Sequence, residues 1–484
     1  MVFSSFVFLF RFLPAVLVVY YCLPECARHF WLLLSSLLFY AWGEPNYVIL
    51  LVLSIAVNYC FGILIGYYKN QNRRKAAGIV MITAVSANVL LLCIFKYSLM
   101  VLELFETICS VQIDFTGIIL PAGISFYTFQ SVSYLADVWR GDVKPQKNIV
   151  SFGMYIAMFP QLIAGPVVRY KFIEAQIEKK QKNQRNDFQR VIRNLSYGIG
   201  RFIIGLSKKV ILANNVGIYW EQISGTETGE LSGITAWFGI TAFAFQIYFD
   251  FSGYSDMALG LAAMFGFRLE ENFNYPYISK SITEFWRRWH ISIGTWFREY
   301  VYIPLGGNRT GRVRHIFNIL LVWMLTGLWH GASFNFLLWG LYFGVIILLE
   351  KYVVLKVLEY LPGMIRYVYS MVLILFGWVI FEADSINEAG NYFKALLGGN
   401  GWGIHSDSVI YMLYTGLFFM ILLIIGATPL PALFWGKMEK KLSGGRRGIV
   451  FCSFIKNTGY MALMLVSTAY LVEQSYNPFL YFRF

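Results

Sequence analysis

The sequence predicts an all-α protein that crosses a membrane many times, and three observations support that fold class. Of the 484 residues, 57% are hydrophobic and 18% are aromatic, whereas only 14% are charged. A water-soluble chain of this length needs more charge than this to cover its surface. Apolar runs of about 18 to 25 residues recur along the chain, and each is long enough to span about 30 Å of hydrocarbon. We therefore expect one membrane domain over residues 1–484, with about eleven to thirteen transmembrane or re-entrant helices.

The formal net charge of +13 has a topological explanation. Lys and Arg collect in the cytoplasmic loops of membrane proteins, and this rule predicts that the basic stretches 69–75, 179–187 and 436–448 face the cytoplasm. Contact with anionic lipid is a second role for these residues. Nucleic acid is excluded as a partner because no recognition motif accompanies the charge.

The first third of the chain contains consecutive apolar runs. The predicted membrane segments here are 2–23, 30–42, 47–68, 76–95, 118–139 and 149–166. Pro121 and Gly123 interrupt the fifth of these, which favours a re-entrant segment. The first run contains Arg11 and has no small-residue cleavage site, so it is interpreted as a retained helix and not as a signal peptide.

A long apolar run at 234–265 contains two carboxylates, Asp250 and Asp256. Six residues on a helix place two side chains on opposite faces, so a catalytic carboxylate pair is disfavoured unless the helix breaks at Gly253. The favoured interpretation is structural, with each carboxylate bonded to a neighbouring helix. The later spans are predicted at 337–349, 367–381, 411–425 and 450–472.

The segment from Lys280 to Tyr300 has the pattern of an amphipathic helix. Its apolar residues recur at steps of three and four, which is typical of a helix lying in the membrane interface. Arg287, Arg288 and Arg298 belong to this segment. Two roles remain open for these arginines: anchoring the helix to lipid headgroups, or binding the phosphates of a ligand.

His330 is the strongest candidate for chemistry. It lies within an apolar run between Gly327 and Gly331, where an ionisable residue costs free energy and is a functional candidate by default. The two glycines predict a broken or tightly packed helix. Burial favours a neutral imidazole, which accepts a proton from an attacking hydroxyl during acyl transfer. A structural His330, hydrogen-bonded within the bundle, is the alternative.

The other histidines and the cysteines carry weaker signals. His29 and His405 are predicted in exposed loops, and His315 at a helix start beside basic residues. No metal site is predicted, because the cysteines are scattered and no second Cys or His pair completes a zinc pattern. We expect buried free thiols at six positions: Cys22, Cys26, Cys60, Cys93, Cys109 and Cys452.

Several blocks resemble the membrane-bound O-acyltransferases, specifically the bacterial branch that contains alginate O-acetylation membrane proteins. The resemblance covers nearly the whole chain. Its core motifs lie at residues 121–170, 248–260 and 272–340. Its blocks are MVFSSFVFLF at the start, PAGISFYTFQSVSYLADVWRG, FPQLIAGPVVRY, YFDFSGYSDMALG, FWRRWHISIGTWFREYVYIPLGGNR, LTGLWHGASFNFLLWG and the final SYNPFLYFRF.

The resemblance implies helices around a central funnel and a catalytic role for the histidine of the WHG segment, here His330. The RRWH histidine, here His290, is also a feature of the family, and we assign it to organising the donor tunnel or polarising the thioester carbonyl. Arg287, Arg288 and Arg298 are our own proposal for contacts to the donor phosphates.

The implied activity is acetyl transfer from cytoplasmic acetyl-CoA across the bacterial inner membrane to an extracytoplasmic polysaccharide. An extracytoplasmic partner acetyltransferase would complete the transfer, and no permanently bound cofactor is expected. Two alternatives stay open: D-alanyl transfer to teichoic acid from a carrier-protein thioester, and transport of a glycan or lipid precursor without catalysis.

Overall fold

The fold is helical throughout the part of the chain that the structure describes. The computed structural model describes residues 2–110, 119–163, 165–181, 188–226, 229–403, 407–442 and 445–473. No β-strand occurs among these residues. The predicted all-α class is therefore confirmed, while His405 and the terminal motif at 475–484 lie outside the described residues.

Ten helices precede residue 230, and eleven follow it within the described ranges. The first group comprises α1 (Leu13–Cys22), α2 (Glu25–Gly43), α3 (Val48–Asn70), α4 (Arg74–Cys109), α5 (Ile124–Arg140), α6 (Ile149–Ala157), α7 (Phe159–Leu162), α8 (Tyr170–Gln181), α9 (Phe188–Ser207) and α10 (Asn214–Ser224). The second comprises α11 (Gly233–Met264), α12 (Ile282–Arg288), α13 (Ile291–Phe297), α14 (Arg312–His330), α15 (Phe334–Leu349), α16 (Leu355–Leu358), α17 (Gly363–Glu382), α18 (Ile386–Leu396), α19 (Asp407–Gly426), α20 (Leu430–Leu442) and α21 (Arg446–Glu473).

Short non-α helical segments adjoin several of these helices. A 3₁₀ turn covers Pro276–Ile278, and π-helical segments cover Phe8–Phe12, Lys208–Ala213, Arg298–Tyr302 and Glu350–Val354.

Six helices among the described residues are long and apolar enough to cross a membrane. They lie within α3, α4, α11, α17, α19 and α21, and the apolar stretch Phe8–Cys22 is shorter. The expected eleven to thirteen segments include broken and re-entrant helices, which length and hydropathy alone do not select. The protein is therefore a polytopic membrane protein, and the full number of segments stays a prediction.

The chain folds into two compact units. The first contains Met1–Phe202, Ser255–Glu271 and Thr295–Val301. The second contains Ile203–Tyr254, Asn272–Gly294 and Tyr302–Phe484. Each unit is assembled from segments that are distant in sequence.

Ion pairs with one buried partner connect distant segments of the first unit. Arg169 contacts Glu270 at 2.7 Å and Glu299 at 2.6 Å, and it is only 7% exposed. Arg201 contacts Asp256 at 2.6 Å. A guanidinium is tolerated at this depth because carboxylates satisfy its charge and its N–H groups.

In the second unit, α14 and α15 form a hairpin in which glycines permit close approach. A Cβ atom at Gly327 would lie 2.2 Å from the carbonyl oxygen of Phe336, and one at Gly340 would lie 2.3 Å from that of Trp323. Small residues at such positions let two backbones touch, as is common between membrane helices. The sequence predicted either a broken helix or a tightly packed helix at Gly327–Gly331. The structure shows the tightly packed one, since α14 continues without a break through Gly327 to His330.

The helix α11 also continues without a break through Gly253. In the second unit Asp250 forms an ion pair with Lys209 at 2.6 Å, and both side chains are buried. Asp256 pairs with Arg201 in the first unit. The structural interpretation of these two carboxylates is therefore confirmed.

Two predictions about buried and exposed residues are wrong. His29 lies on α2 and not in a loop, and it is buried with its Nδ1 atom 3.1 Å from the hydroxyl of Ser151. The six cysteines are free thiols as expected, but Cys452 alone is buried. Apolar surface is abundant on membrane helices, so a cysteine in an apolar run need not face the protein interior.

Candidate active site

His330 is the last residue of α14 and lies among aromatic rings of the second unit. Its ring centroid is 4.6 Å from Trp329, 4.8 Å from Trp339 and 5.3 Å from Phe381. The residue is 7% exposed. Gly331 follows it in an extended conformation, and a Cβ atom there would lie 2.1 Å from the Phe336 ring, so only glycine fits without a shift. The end of α14 thus holds the imidazole in a packed aromatic wall.

His290 lies between two short helices, where a single amphipathic helix was predicted over 280–300. The structure corrects that prediction, because α12 ends at Arg288 and α13 begins at Ile291. His290 has a φ of +45°, a left-handed conformation that few residues other than glycine adopt, although histidine adopts it more often than most. Periodicity did not reveal the break, since both short helices keep the same apolar spacing. The turn brings the imidazole inward, where it is 2% exposed.

Asn272 fixes the orientation of His290. Its side-chain oxygen lies 3.2 Å from the His290 Nδ1 atom and accepts hydrogen bonds from the backbone N–H and the hydroxyl of Ser292, at 3.1 and 2.9 Å. Because a backbone N–H donates to it, this Asn272 atom is the oxygen and not the nitrogen. The Nδ1 atom of His290 is therefore the donor, which leaves the lone pair of the neutral ring on Nε2.

Both predicted histidines contact the same indole. The Trp329 ring centroid lies 5.8 Å from that of His290 and 4.6 Å from that of His330. Phe251 packs edge-on against His290 at 4.6 Å. The structure thus places His290 and His330 in one aromatic cluster of the second unit.

The electrostatics of His290 favour a neutral ring. Burial lowers the pKa of His290, which lies outside the six candidate spans, from 6.5 to about 3. Removing an imidazolium from water is unfavourable, so burial disfavours the charged form of the ring. His290 is therefore an uncharged imidazole at physiological pH.

The three arginines predicted for donor phosphates have different surroundings. Arg288 forms an ion pair with Glu284 at 2.9 Å and donates to the carbonyl oxygen of Asn274 at 3.0 Å. Arg287 and Arg298 are exposed, and Arg298 belongs to the first unit. A phosphate role for Arg287, Arg288 and Arg298 stays a prediction.

His315 lies at the opposite end of α14 from His330. It is buried, and its two nitrogens lie 2.6 Å from the hydroxyl of Tyr352 and 3.0 Å from that of Tyr302. The Nζ atom of Lys351 is 2.8 Å from the Nε2 atom of His315. His315 was correctly predicted at the beginning of a helix, and these contacts give it a structural role there.

Two residues of the cluster were not predicted from sequence. Asn272 carries no signal of its own, because its role depends on a turn eighteen residues later. Trp329 directly precedes His330 in the sequence, and nothing in the local pattern indicates that it also reaches His290. Among the described residues, no group of three or more His, Cys, Asp or Glu side chains is placed to hold a metal ion. The chemistry available from the predicted histidines is acid–base and electrostatic.

Comparison with known proteins assigns the chain to a family. The membrane-bound O-acyltransferase family profile matches residues 144–387. The chain is 36% identical to the probable alginate O-acetylase of Pseudomonas putida, over the full length of both proteins. It is 40% identical to that of Pseudomonas syringae pv. tomato, over 83% of this chain and 76% of the relative. The peptidoglycan O-acetyltransferase of Helicobacter pylori is 33% identical, over 83% of this chain and 80% of the relative.

The matched segment 144–387 contains both histidines and all three arginines discussed above. The long blocks that carried the resemblance and the helical membrane fold agree with this assignment. The chain belongs to the membrane-bound O-acyltransferase family and is a membrane-embedded O-acyltransferase.

Proposed function

We propose that this protein takes acetyl from cytoplasmic acetyl-CoA and passes it across the membrane for O-acetylation of an extracytoplasmic polysaccharide. The observation that carries the proposal is the contact of His290 and His330 with one indole, Trp329, in a buried aromatic cluster. The names of the relatives supply the acyl group and the acceptor class, since they act on alginate or peptidoglycan.

His330 is the proposed general base. It removes the proton of the acceptor hydroxyl as the oxygen attacks the thioester carbonyl, so that a C–O bond forms and the C–S bond breaks. The proton then passes from the imidazole to the departing CoA thiolate. His290, neutral and oriented by Asn272, is proposed to organise the donor. Its Nδ1–H is bonded to Asn272 and its Nε2 atom carries a lone pair, so this tautomer does not donate a hydrogen bond to the thioester carbonyl.

A partner outside the cytoplasm completes the proposed reaction. The immediate acceptor hydroxyl belongs to an extracytoplasmic partner acetyltransferase, which carries the acetyl group to the polysaccharide. The bacterial inner membrane is the proposed location, because acetyl-CoA is available on its cytoplasmic side. Arg287, Arg288 and Arg298 remain proposed contacts for the CoA phosphates.

Sealed vesicles of defined orientation test the donor and its side. Inverted vesicles containing the protein and its partner are given labelled acetyl-CoA or a D-alanyl carrier protein, and right-side-out vesicles are given the same donors. We expect label in an ester product only from acetyl-CoA and only in inverted vesicles. Transfer from the D-alanyl carrier protein would support the teichoic acid alternative, and transfer from external acetyl-CoA in sealed right-side-out vesicles would contradict the proposed direction.

A further inference from the structure

The short helix α12 has an unusually complete N-terminal cap. The hydroxyl of Ser281 accepts a hydrogen bond from the N–H of Glu284 at 3.0 Å. The two carboxylate oxygens of Glu350 accept from the N–H groups of Ile282 and Thr283, at 2.6 and 2.7 Å. The first amides of a helix have no partner within the helix, and a carboxylate also compensates the partial positive charge there. The beginning of α12 is therefore fixed by charge-assisted hydrogen bonds.

Glu350 reaches α12 from a distant part of the chain. It directly follows α15, in the π-helical segment Glu350–Val354, and is 0% exposed. The hydroxyl of Tyr369, on α17, donates a third hydrogen bond to it at 3.3 Å. Burying a carboxylate costs free energy unless its oxygens accept hydrogen bonds. The three hydrogen bonds to Glu350 therefore explain how an acidic residue is accommodated at the end of an apolar helix.

The two helices that Glu350 joins each adjoin one of the histidines. The helix α12 ends two residues before His290, and α15 begins four residues after His330. Between these points Trp286 of α12 packs against Trp339 of α15 at a centroid distance of 5.5 Å, and Trp339 packs against His330 at 4.8 Å. A shift of α12 along α15 would therefore move one imidazole relative to the other.

We propose that Glu350 is a positioning residue for acyl transfer: by bonding the first turn of α12 to the end of α15, it sets the placement of His290 relative to His330. This inference rests on the proposed function to the extent that both histidines serve one reaction. Glu350 itself touches neither imidazole in this arrangement and acts through α12.

Glu350→Gln tests this role, because it keeps the size of the side chain while removing the charge and one acceptor. Glu388→Gln is the matched control. Glu388 lies in the first turn of α18, in the same unit, and its carboxylate accepts a hydrogen bond from the N–H of Asp384, which precedes that helix, at 2.9 Å. The first measurement is modification of His290 by diethyl pyrocarbonate, followed by peptide mass spectrometry on the purified full-length protein. We expect several-fold faster modification of His290 in Glu350→Gln, and the wild-type rate in the control.

The second measurement is the rate of acetyl transfer in vesicles at matched membrane abundance. We expect kcat to fall about tenfold or more in Glu350→Gln, with the KM for acetyl-CoA changed by less than about twofold, because only alignment is lost. If Glu350→Gln does not accumulate in the membrane, Glu350→Asp replaces it in the same test. We expect His290 to be modified faster in Glu350→Asp than in the wild type.

Modification of His290 at the wild-type rate in the folded variant would overturn the proposal. So would equal losses of activity in the Glu350 and Glu388 variants, since that result indicates a general effect of uncapping a helix. Because the modification does not depend on turnover, failure of the acetyl-transfer proposal leaves the positioning test readable.

Discussion

His290 has a left-handed backbone conformation, which is uncommon for residues other than glycine. A φ of +45° costs an ordinary side chain about 1 kcal/mol or more, and such strain persists only where surrounding contacts impose it. Here the side chain of Asn272 holds both the imidazole of His290 and the backbone of Ser292. We infer that the left-handed turn exists to direct this ring into the aromatic cluster.

Two substitutions of His290 distinguish the contribution of its backbone conformation from that of its imidazole ring. His290→Asn keeps a residue that tolerates a positive φ, whereas His290→Ala does not, so we expect the Ala variant to be less stable by about 1 kcal/mol. Both variants lose the ring, and we expect acetyl transfer to fall at least about tenfold in each. Thermal unfolding in detergent and transfer in vesicles check these outcomes. Full activity in His290→Asn would show that the imidazole has no role in the reaction.

The lowered pKa of His290 also predicts a pH dependence of stability. The folded protein keeps the ring neutral down to a pKa of about 3, while the unfolded chain binds a proton below about 6.5. The unfolded state therefore takes up the extra proton, and stability falls as the pH drops from 6.5 towards 3. At pH 5 this one residue lowers the free energy of unfolding by about 2 kcal/mol relative to its value at neutral pH.

Thermal unfolding of wild type and His290→Asn at pH 7.5 and pH 5 measures this effect. We expect a larger decrease in Tm on acidification for the wild type than for the variant. Equal decreases would show that His290 is not buried as a neutral ring.

At the level of elements, the α14–α15 hairpin carries His330 at its turn end. The backbones of α14 and α15 approach each other closely at Gly327 and at Gly340. Gly327 lies about one helical turn before His330. Tight backbone contact leaves little freedom for the end of α14, and this restricts where the imidazole can lie.

Gly327→Ala tests the hairpin. The added Cβ would lie 2.2 Å from a backbone oxygen that cannot move alone, so α14 and α15 must separate, and we expect a loss of about 1 to 3 kcal/mol together with reduced transfer. Gly390→Ala in α18 is the control, because nothing lies within 4 Å of its added Cβ. Its stability should rise slightly, since alanine favours a helix. A Gly327→Ala protein with wild-type Tm and activity would contradict the importance of this contact.

Sequence periodicity predicted the helices better than their ends. The apolar spacing from Lys280 to Tyr300 is the same on both sides of His290, so it did not reveal the break between α12 and α13. The break is instead held by bonds to the distant segment 272–274: the N–H of Ile291 donates to the carbonyl oxygen of Asn272 at 3.0 Å, and the N–H of Asn274 donates to that of Arg288 at 2.9 Å. By contrast, the two carboxylates of α11 were predicted to bond to a neighbouring helix, and each does so: Asp250 pairs with Lys209, and Asp256 pairs with Arg201.

At the scale of the whole molecule, composition was sufficient for the fold class. A charged fraction of 14% and repeated apolar runs require a helical membrane protein, and six candidate spans are present in the described ranges. The interleaving of distant segments in two compact units was not visible in the sequence, because it is set by tertiary contacts and not by local composition. A single functional domain over residues 1–484 and a central funnel stay predictions.

The candidate site was predictable only in part. His330 stands out because an ionisable residue in an apolar run is rare, and the family motifs added His290. Their common neighbour Trp329 follows from the packing of α12 against α14 and α15, which no local pattern encodes. The burial of His29 was missed for the same reason, since its partner Ser151 lies on another helix.

The proton-accepting role of His330 is tested most directly with inverted vesicles that hold the protein and its partner. They receive labelled acetyl-CoA, and wild type is compared with His330→Ala and with His315→Gln, a control on the same helix, all at matched abundance. We expect labelled ester from the wild type and the control, and at least about a hundredfold less from His330→Ala. Undiminished labelling by His330→Ala would contradict the assignment of His330 as the base.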